Sequence, residues 1–487
     1  MISWGISANS HDAALAVFKN KELLFASHSE RFSGIKNDPH LDKNLLNYAL
    51  QLGEPDEVHW YENPIKKSLR QLYAGQGWNF RDNNIRQYLN RYAIDCPIRY
   101  SSHHRSHAAA GYFTSGYSDA TILSIDAIGE FETLTIWEAE GKEMKKVWSQ
   151  KYPHSVGLWY SAMTQRIGLK PNEDEYILMG MAAYGDKNRL YSDIHHDFID
   201  VSYDQKLKVR LKQNLHRGCK RWRPDLKTEQ DMFDIAAATQ AIYEMILLEI
   251  LLYCKYKCKS KNLVLTGGCA LNCSANGKAL QIFDNVWIMP NPSDAGSAVG
   301  AVLSNYNEHI EFNSPYLGYN IEGDYPVEKT INALLSSGIC GVANGRAEYG
   351  PRALGNRSLF ADPRGEYTKD RVNDIKKRQK FRPFAPVVLE EHADKLFDGP
   401  TGPYMQYTAR CKDTNKYPAI AHVDGTSRVQ VVNKTLHTGL YELLRRWFKA
   451  TGCPMLLNTS LNIKGKPMVN DKVDAKEFAL KYGVSVY

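Results

Sequence analysis

The chain has 487 residues, 43% of them hydrophobic and 24% charged, with a formal net charge of +7. That length suffices for two or three domains with a large core, and the balance excludes a disordered, collagenous or disulfide-stapled chain. The nine cysteines are an odd number scattered over a long chain, which reads as reduced thiols in a cytoplasm.

The chain opens strand-like, with no basic stretch ahead of an apolar one, so no leader is expected. Strands are predicted over 2–7, 13–18 and 22–28, with turns at Asn9-Ser10 and Lys19-Asn20-Lys21. His11 lies in the first turn, where an imidazole titrating near neutrality suits a general base on a hydroxyl; a turn histidine bonded to backbone is the plainer reading. His103 and His107 follow, four apart on one face of a predicted helix. The same three-strand pattern then recurs over 121–126, 133–138 and 145–149, with turns at Ile128-Gly129 and Glu140-Gly141. A repeated β-β-β unit marks a two-lobed fold of the actin-like ATPase form, with a cleft between the lobes.

From Lys206 to Lys227 nine cations face the single acid Asp225. Lys220, Arg221, Trp222 and Arg223 lie within this stretch, a basic patch with an aromatic that suits nucleic acid; a solvated basic face is the alternative. A helix is predicted over 230–256. The apolar segment 242–254 inside it is broken by Glu244 and Glu249, so no membrane span is expected. A buried strand then runs into Gly267-Gly268 and a helix start near Asn272, a turn whose N–H groups can approach a phosphate. A further strand over 286–289 leads to Asp294 at the start of another helix. The stretch 306–328 is rich in Asn, Gly, Tyr and Pro. The chain divides into a first domain, 1–315, a linker, 316–328, and a second α/β domain, 329–487.

Histidines four apart are more often surface or core residues than ligands. Asp126 at the end of an apolar strand and Asp294 in a Gly-rich setting change that balance. Two imidazoles and two carboxylates suit Fe²⁺, Mn²⁺ or Zn²⁺ better than Ca²⁺. His104 points to the other side of the helix. The Cys254/Cys258 and Cys269/Cys273 pairs lack CxxC spacing and read as structural thiols. In the second domain Arg346, Arg352, Arg357, Lys376, Arg378, Arg382 and Arg428, with Asn458 and Ser460, mix with Gly, Pro and aromatics, as in a shaped anion pocket.

Several strings carry a family resemblance: Ser10-His11-Asp12-Ala13-Ala14, His103-His104-Arg105-Ser106-His107-Ala108, Gly267-Gly268-Cys269-Ala270-Leu271-Asn272, Asp294-Ala295-Gly296, Gly350-Pro351-Arg352-Ala353-Leu354-Gly355-Asn356-Arg357-Ser358, Phe381-Arg382-Pro383-Phe384-Ala385-Pro386 and Asn458-Thr459-Ser460-Leu461-Asn462. Through them the chain resembles the O-carbamoyltransferases of the NodU and CmcH type. The resemblance implies an actin-like first domain, like that of the tRNA threonylcarbamoyl transferases, and a YrdC-like second domain. It implies that carbamoyl phosphate and ATP, the latter with Mg²⁺, yield carbamoyl adenylate and pyrophosphate in the second domain. The first domain then passes the carbamoyl group to a hydroxyl and releases AMP. His11 takes the hydroxyl proton, and the metal orients the adenylate phosphate.

The acceptor stays open: a 5-hydroxymethyl pyrimidine in DNA, as in modified phage genomes, or a sugar- or antibiotic-like small molecule. The tRNA threonylcarbamoyl transferases and a non-catalytic nucleic-acid-binding protein are the competing readings, and a homodimer remains open.

Overall fold

In the computed structural model, residues 1–204 and 206–487 are described, side chains at 202–206 excepted. The chain forms two compact units: one of residues 1–29 and 39–312, the other of residues 30–38 and 313–487.

The first unit is a mixed α/β structure built on one pattern used twice. Strand Ile2–Ser7 pairs antiparallel with Ala14–Lys19, which pairs antiparallel with Glu22–His28. On its other side Ile2–Ser7 pairs parallel with Glu57–Trp60, and that strand pairs parallel with Ile98–Tyr100. In the second sheet Asp119–Gly129, Glu132–Glu140 and Glu143–Lys151 form the antiparallel part. Asn262–Thr266 and Asn285–Trp287 continue it in parallel. Strand order and sense match sheet for sheet, so the internal duplication predicted from sequence is present.

Two helices set the centre of this unit. His103–Ser115 is buried nearly all round, with Ala108, Ala109, Ala110 and Gly111 along it. Small residues let other elements approach closely: a Cβ on Gly111 would lie 2.5 Å from Val264 Cγ1. Ser297–Tyr306 packs against the same helix, and a Cβ on Gly300 would lie 1.9 Å from the Ser106 carbonyl oxygen. Helix Glu229–Lys257 starts at a capping box between Thr228 and Asp231. Its length and composition would let it cross a bilayer, yet 67% of its most apolar window is buried inside the protein, as in a core helix.

Several predicted bounds move. The strand expected to turn at Ile128-Gly129 continues through Gly129, and the chain turns at Glu130, which takes a left-handed φ of 41°. After Gly267 the chain forms a 3₁₀ turn, Gly268–Leu271, and a four-residue helix, Cys273–Asn276, instead of a long helix. The strand expected over 286–289 is Asn285–Trp287.

The linker expected over 316–328 is not one. Tyr316–Ile321 is a strand paired antiparallel with Gly345–Glu348 in the second unit, and helix Val327–Ser337 begins directly after. Its Gly and Asn residues masked a half-buried strand whose Leu317 and Ile321 are in the core. The five-stranded sheet of that unit runs in the order Ile339–Ala343, Arg357–Ala361, Met455–Ser460, Ala385–Leu389, Gln430–Val432, antiparallel except for the last pair. Helices Val327–Ser337 and Thr438–Thr451 pack on each other. Residues 30–38 join this unit, where the Arg31 guanidinium donates to the Gly350 carbonyl at 2.9 Å.

Gly300→Val drives a side chain into the Ser106 backbone. It is expected to lower stability by about 3 kcal/mol or more, seen as a drop in Tm by circular dichroism.

Candidate metal and transfer site

His103 opens its helix, with Ser102 at the N-cap. His107 is one turn on. Asp126 lies in strand Asp119–Gly129, next to the parallel strand that leads into Gly267. Asp294 begins the 3₁₀ turn before helix Ser297–Tyr306. These four residues, distant in sequence, place ligand atoms within 4.8 Å of one another, three of the residues buried and Asp294 half-buried.

Nε2 of His103 lies 2.9 Å from Asp126 Oδ2 and 3.3 Å from Asp294 Oδ1. Nε2 of His107 lies 3.1 Å from Asp294 Oδ1, 3.5 Å from Asp126 Oδ2 and 3.1 Å from His103 Nε2. Bonds of about 2.0–2.2 Å to a shared ion place ligand atoms ~3.0–3.5 Å apart, so the donor set fits a divalent metal.

Burial disfavours every charge here, and the opposite charges override it. Burial works against the His103 cation, but the Asp294 and Asp126 carboxylates hold it well above the ordinary imidazole value, and His107 is raised likewise. Against burial, hydrogen bonds from both imidazoles hold Asp126 well below the carboxylate range, and Asp294 is lowered too. His104 is the contrast. Burial and then the two neighbouring histidines push it well below its usual value, and its Nδ1 meets Thr135 Oγ1 at 3.0 Å, outside the cluster.

The surroundings are shaped for this cluster. A Cβ on Gly129 would lie 2.1 Å from the His103 ring, so only glycine leaves the imidazole room. His107 Nδ1 lies 3.2 Å from Ser297 Oγ. Gly267 takes a φ of +89°, and a Cβ there would meet the Ile125 carbonyl at 2.2 Å. Its N–H donates to the Pro292 carbonyl at 2.9 Å, and the Gly268 N–H points at Asp126 Oδ1 at 3.4 Å. Asn272 caps the short helix after it and exchanges amide hydrogen bonds with Gln240. Gly267 and Gly268 thus lie at the Asp126 side of the cluster, with Asn272 just after them. Their polar groups face protein partners, and the Gly-Gly turn holds the Asp126 and Asp294 segments together.

His11 is half-buried, and its buried Nε2 has no hydrogen-bond partner. Its loop is held at Asp12, whose carboxylate meets His28 Nδ1 at 2.9 Å, while His28 Nε2 meets Asn291 Nδ2 at 2.9 Å. Asn291 lies three residues before Asp294.

In the second unit the predicted cations fall into two groups. Arg357 is fully buried. Its guanidinium donates to five backbone carbonyls, those of Asn470, Asn344, Gly345, Asn356 and Tyr319. Burial pushes it down to about 10. It is a strut, and its assignment as a phosphate ligand is corrected. Arg346, half-buried, donates to the Leu317 carbonyl at 2.6 Å.

Lys376, Arg378, Arg382 and Ser460 are brought together. Lys376 Nζ contacts oxygens of Ser460 and Asn462, and burial, followed by the Arg378 and Arg382 cations, holds it well below the ammonium range. The Arg378 guanidinium stacks 4.0 Å over Phe384. Asn458 donates to Gln430 and to the Ala353 carbonyl, tying its strand to the loop that carries half-buried Arg352. The Arg428 Nε is buried with no hydrogen-bond partner.

The basic stretch reads differently once folded. The Lys206 side chain lies outside the described residues. Trp222 donates its indole N–H to Asp197 at 2.8 Å and packs edge-on against Phe198. Arg223 is paired with Asp193 and Asp225. Both are half-buried, while Lys220 and Arg221 are exposed. All nine cysteines are free thiols, with burial pushing Cys258 up to about 11.

Sequence reasoning missed Glu62, whose carboxylate reaches within 4.0 Å of His103 Nδ1, and Ser297. Glu62 follows the buried strand Glu57–Trp60, as Asp126 follows the apolar run Thr121–Ile125, and that parallel was the available signal.

His103→Ala and His107→Ala are each expected to weaken Mn²⁺ binding by ~100-fold or more, while His104→Gln stays within about threefold of wild type, measured by calorimetric titration.

Comparison with known proteins finds two family models along the chain, Carbamoyltransferase N-terminus over residues 63–303 and Carbamoyltransferase C-terminus over residues 331–487. Nodulation protein NolNO of Sinorhizobium fredii is 31% identical across 96% of this chain and 76% of its own length. The 3'-hydroxymethylcephem-O-carbamoyltransferase of Amycolatopsis lactamdurans is 27% identical across 98% of this chain and 96% of its own. An uncharacterised Synechocystis protein is 31% identical across 97% and 93%.

Proposed function

The chain belongs to the carbamoyltransferase family, and from that premise we propose that it is an ATP-dependent O-carbamoyltransferase acting on the hydroxyl of a small molecule. The observation that carries this is the convergence of His103, His107, Asp126 and Asp294 beside the loop of His11. The first unit is read as actin-like, on its duplicated sheets, and the second as YrdC-like, by resemblance.

The second unit makes the activated acyl group. Water first releases inorganic phosphate from carbamoyl phosphate and leaves carbamate; a carbamate oxygen then attacks the α-phosphorus of ATP, forming carbamoyl adenylate as pyrophosphate leaves. Arg378, Arg382 and Arg428 offset the negative charge that grows on the leaving oxygens, with Arg352 and Ser460 orienting them. Lys376 fixes the Ser460–Asn462 turn. In the first unit His11 accepts the proton of the acceptor hydroxyl, the oxygen attacks the carbamoyl carbon, and AMP leaves. A metal there, read as Fe²⁺ or else Mn²⁺ or Zn²⁺, would supply Lewis-acid chemistry toward the adenylate phosphate. His103, His107, Asp126 and Asp294 would hold it.

A small acceptor is favoured because the cephem relative is named for a small hydroxymethyl substrate and because the Trp222 indole N–H is taken by Asp197. Mass spectrometry of small hydroxyl compounds and of hydroxymethylated DNA, each incubated with ATP and carbamoyl phosphate, tests this. Carbamoylated DNA, with binding that weakens steeply in salt, would reverse the choice of acceptor.

Pyrophosphate release from ATP is expected to require carbamoyl phosphate. His11→Ala should keep that release and lose carbamoyl transfer by ~100-fold or more; loss of both would make His11 structural. Arg382→Ala should raise the KM for carbamoyl phosphate about tenfold, whereas Arg357→Lys should lower Tm and leave that KM unchanged.

A further inference from the structure

A histidine that binds a metal through Nε2 is normally fixed by a hydrogen bond from its other nitrogen, most often to a carboxylate. His107 has such a partner in Ser297. His103 Nδ1 is buried without a hydrogen bond, and Glu62 Oε2 stands 4.0 Å from it. Glu62 is only 4% exposed, and its other oxygen is held by Lys67 Nζ at 2.6 Å.

Lys67 is just as buried, on helix Pro64–Tyr73. Its ammonium also donates to the Asn9 carbonyl at 2.9 Å. Asn9 opens the loop that carries His11, in a left-handed conformation with φ 63°, and Asp12 closes it with φ 53°. The Tyr61 ring packs on His103 with centroids 5.3 Å apart. Burial, then the Glu62 and Asp294 carboxylates, keep the Tyr61 phenol well above its ordinary value, and Ser10 lies against the same hydroxyl. A chain of contacts therefore runs from a metal ligand to the loop of the catalytic base: His103, Glu62, Lys67, Asn9.

A buried ion pair adds little net stability, because desolvation offsets most of its attraction. Its position between two functional elements gives it another purpose. Resting on the metal reading above, we infer that Glu62 is the positioning residue that orients His103 toward the metal. Lys67 ties Glu62 to the 9–12 loop, so that metal loading and the placement of His11 are coupled. When Nε2 turns to the ion, Nδ1–H turns to Glu62, and any shift of that carboxylate moves the ammonium bonded to both Glu62 and Asn9.

The test uses full-length metal-free protein titrated with Mn²⁺, with amide exchange over residues 9–12 followed before and after loading. Glu62→Gln is expected to weaken Mn²⁺ binding ~10–100-fold, with Glu62→Asp recovering part of the loss. In wild type Mn²⁺ should slow exchange in the loop, and in Lys67→Met it should not. If Glu62→Gln does not fold, the Glu62→Gln/Lys67→Met pair, which removes both buried charges together, serves for the affinity measurement. Affinity within about threefold of wild type in these variants overturns the role of Glu62, and a loop that Mn²⁺ still protects in Lys67→Met overturns the coupling. Wild-type protein that takes up no Mn²⁺ overturns the metal reading itself and this role with it.

Discussion

Two carboxylates and two imidazoles gathered out of water at one point form the constraint on which the first unit depends. Each charge is costly there alone and tolerable only with the others, or with an ion between them. Their positions come from three different elements, a helix, a strand and a 3₁₀ turn, so those elements must meet closely. The glycines do that work. Gly300 lets one helix lie on the backbone of another, Gly129 leaves space for an imidazole, and Gly267 brings a turn against a strand end. The alanine run Ala108–Ala110 serves the same purpose on the helix that carries both histidines.

The second unit solves a different problem with the same residue type. Arg357 and Arg378 are both arginines read from sequence as anion ligands, yet one is taken up by five main-chain carbonyls and the other lies over an aromatic ring beside two more cations. What separates strut from ligand-facing cation is how completely backbone oxygens surround the guanidinium, and that depends on the meeting of chain segments around residues 319, 344 and 470.

Glu62 and Lys67 extend the logic of the first unit outward. A ligand to a metal is only as well placed as the group behind it. Here that group reaches, through one ammonium, the loop in which His11 lies.

By itself the chain determined a good deal. Alternation of apolar and polar residues gave the repeated β-β-β units, because a strand's period of two is local. Spacing of four put His103 and His107 on one helix face, and short specific strings pointed to the family. Tertiary structure alone decided the rest. It brought Asp126 and Asp294 to the histidines and turned Arg357 inward. It engaged Trp222 with Asp197, made a strand of residues 316–321, and delivered residues 30–38 to the second unit. Each of these depends on contacts between residues far apart in sequence, and no local pattern encodes which distant carbonyl, carboxylate or ring a side chain will meet.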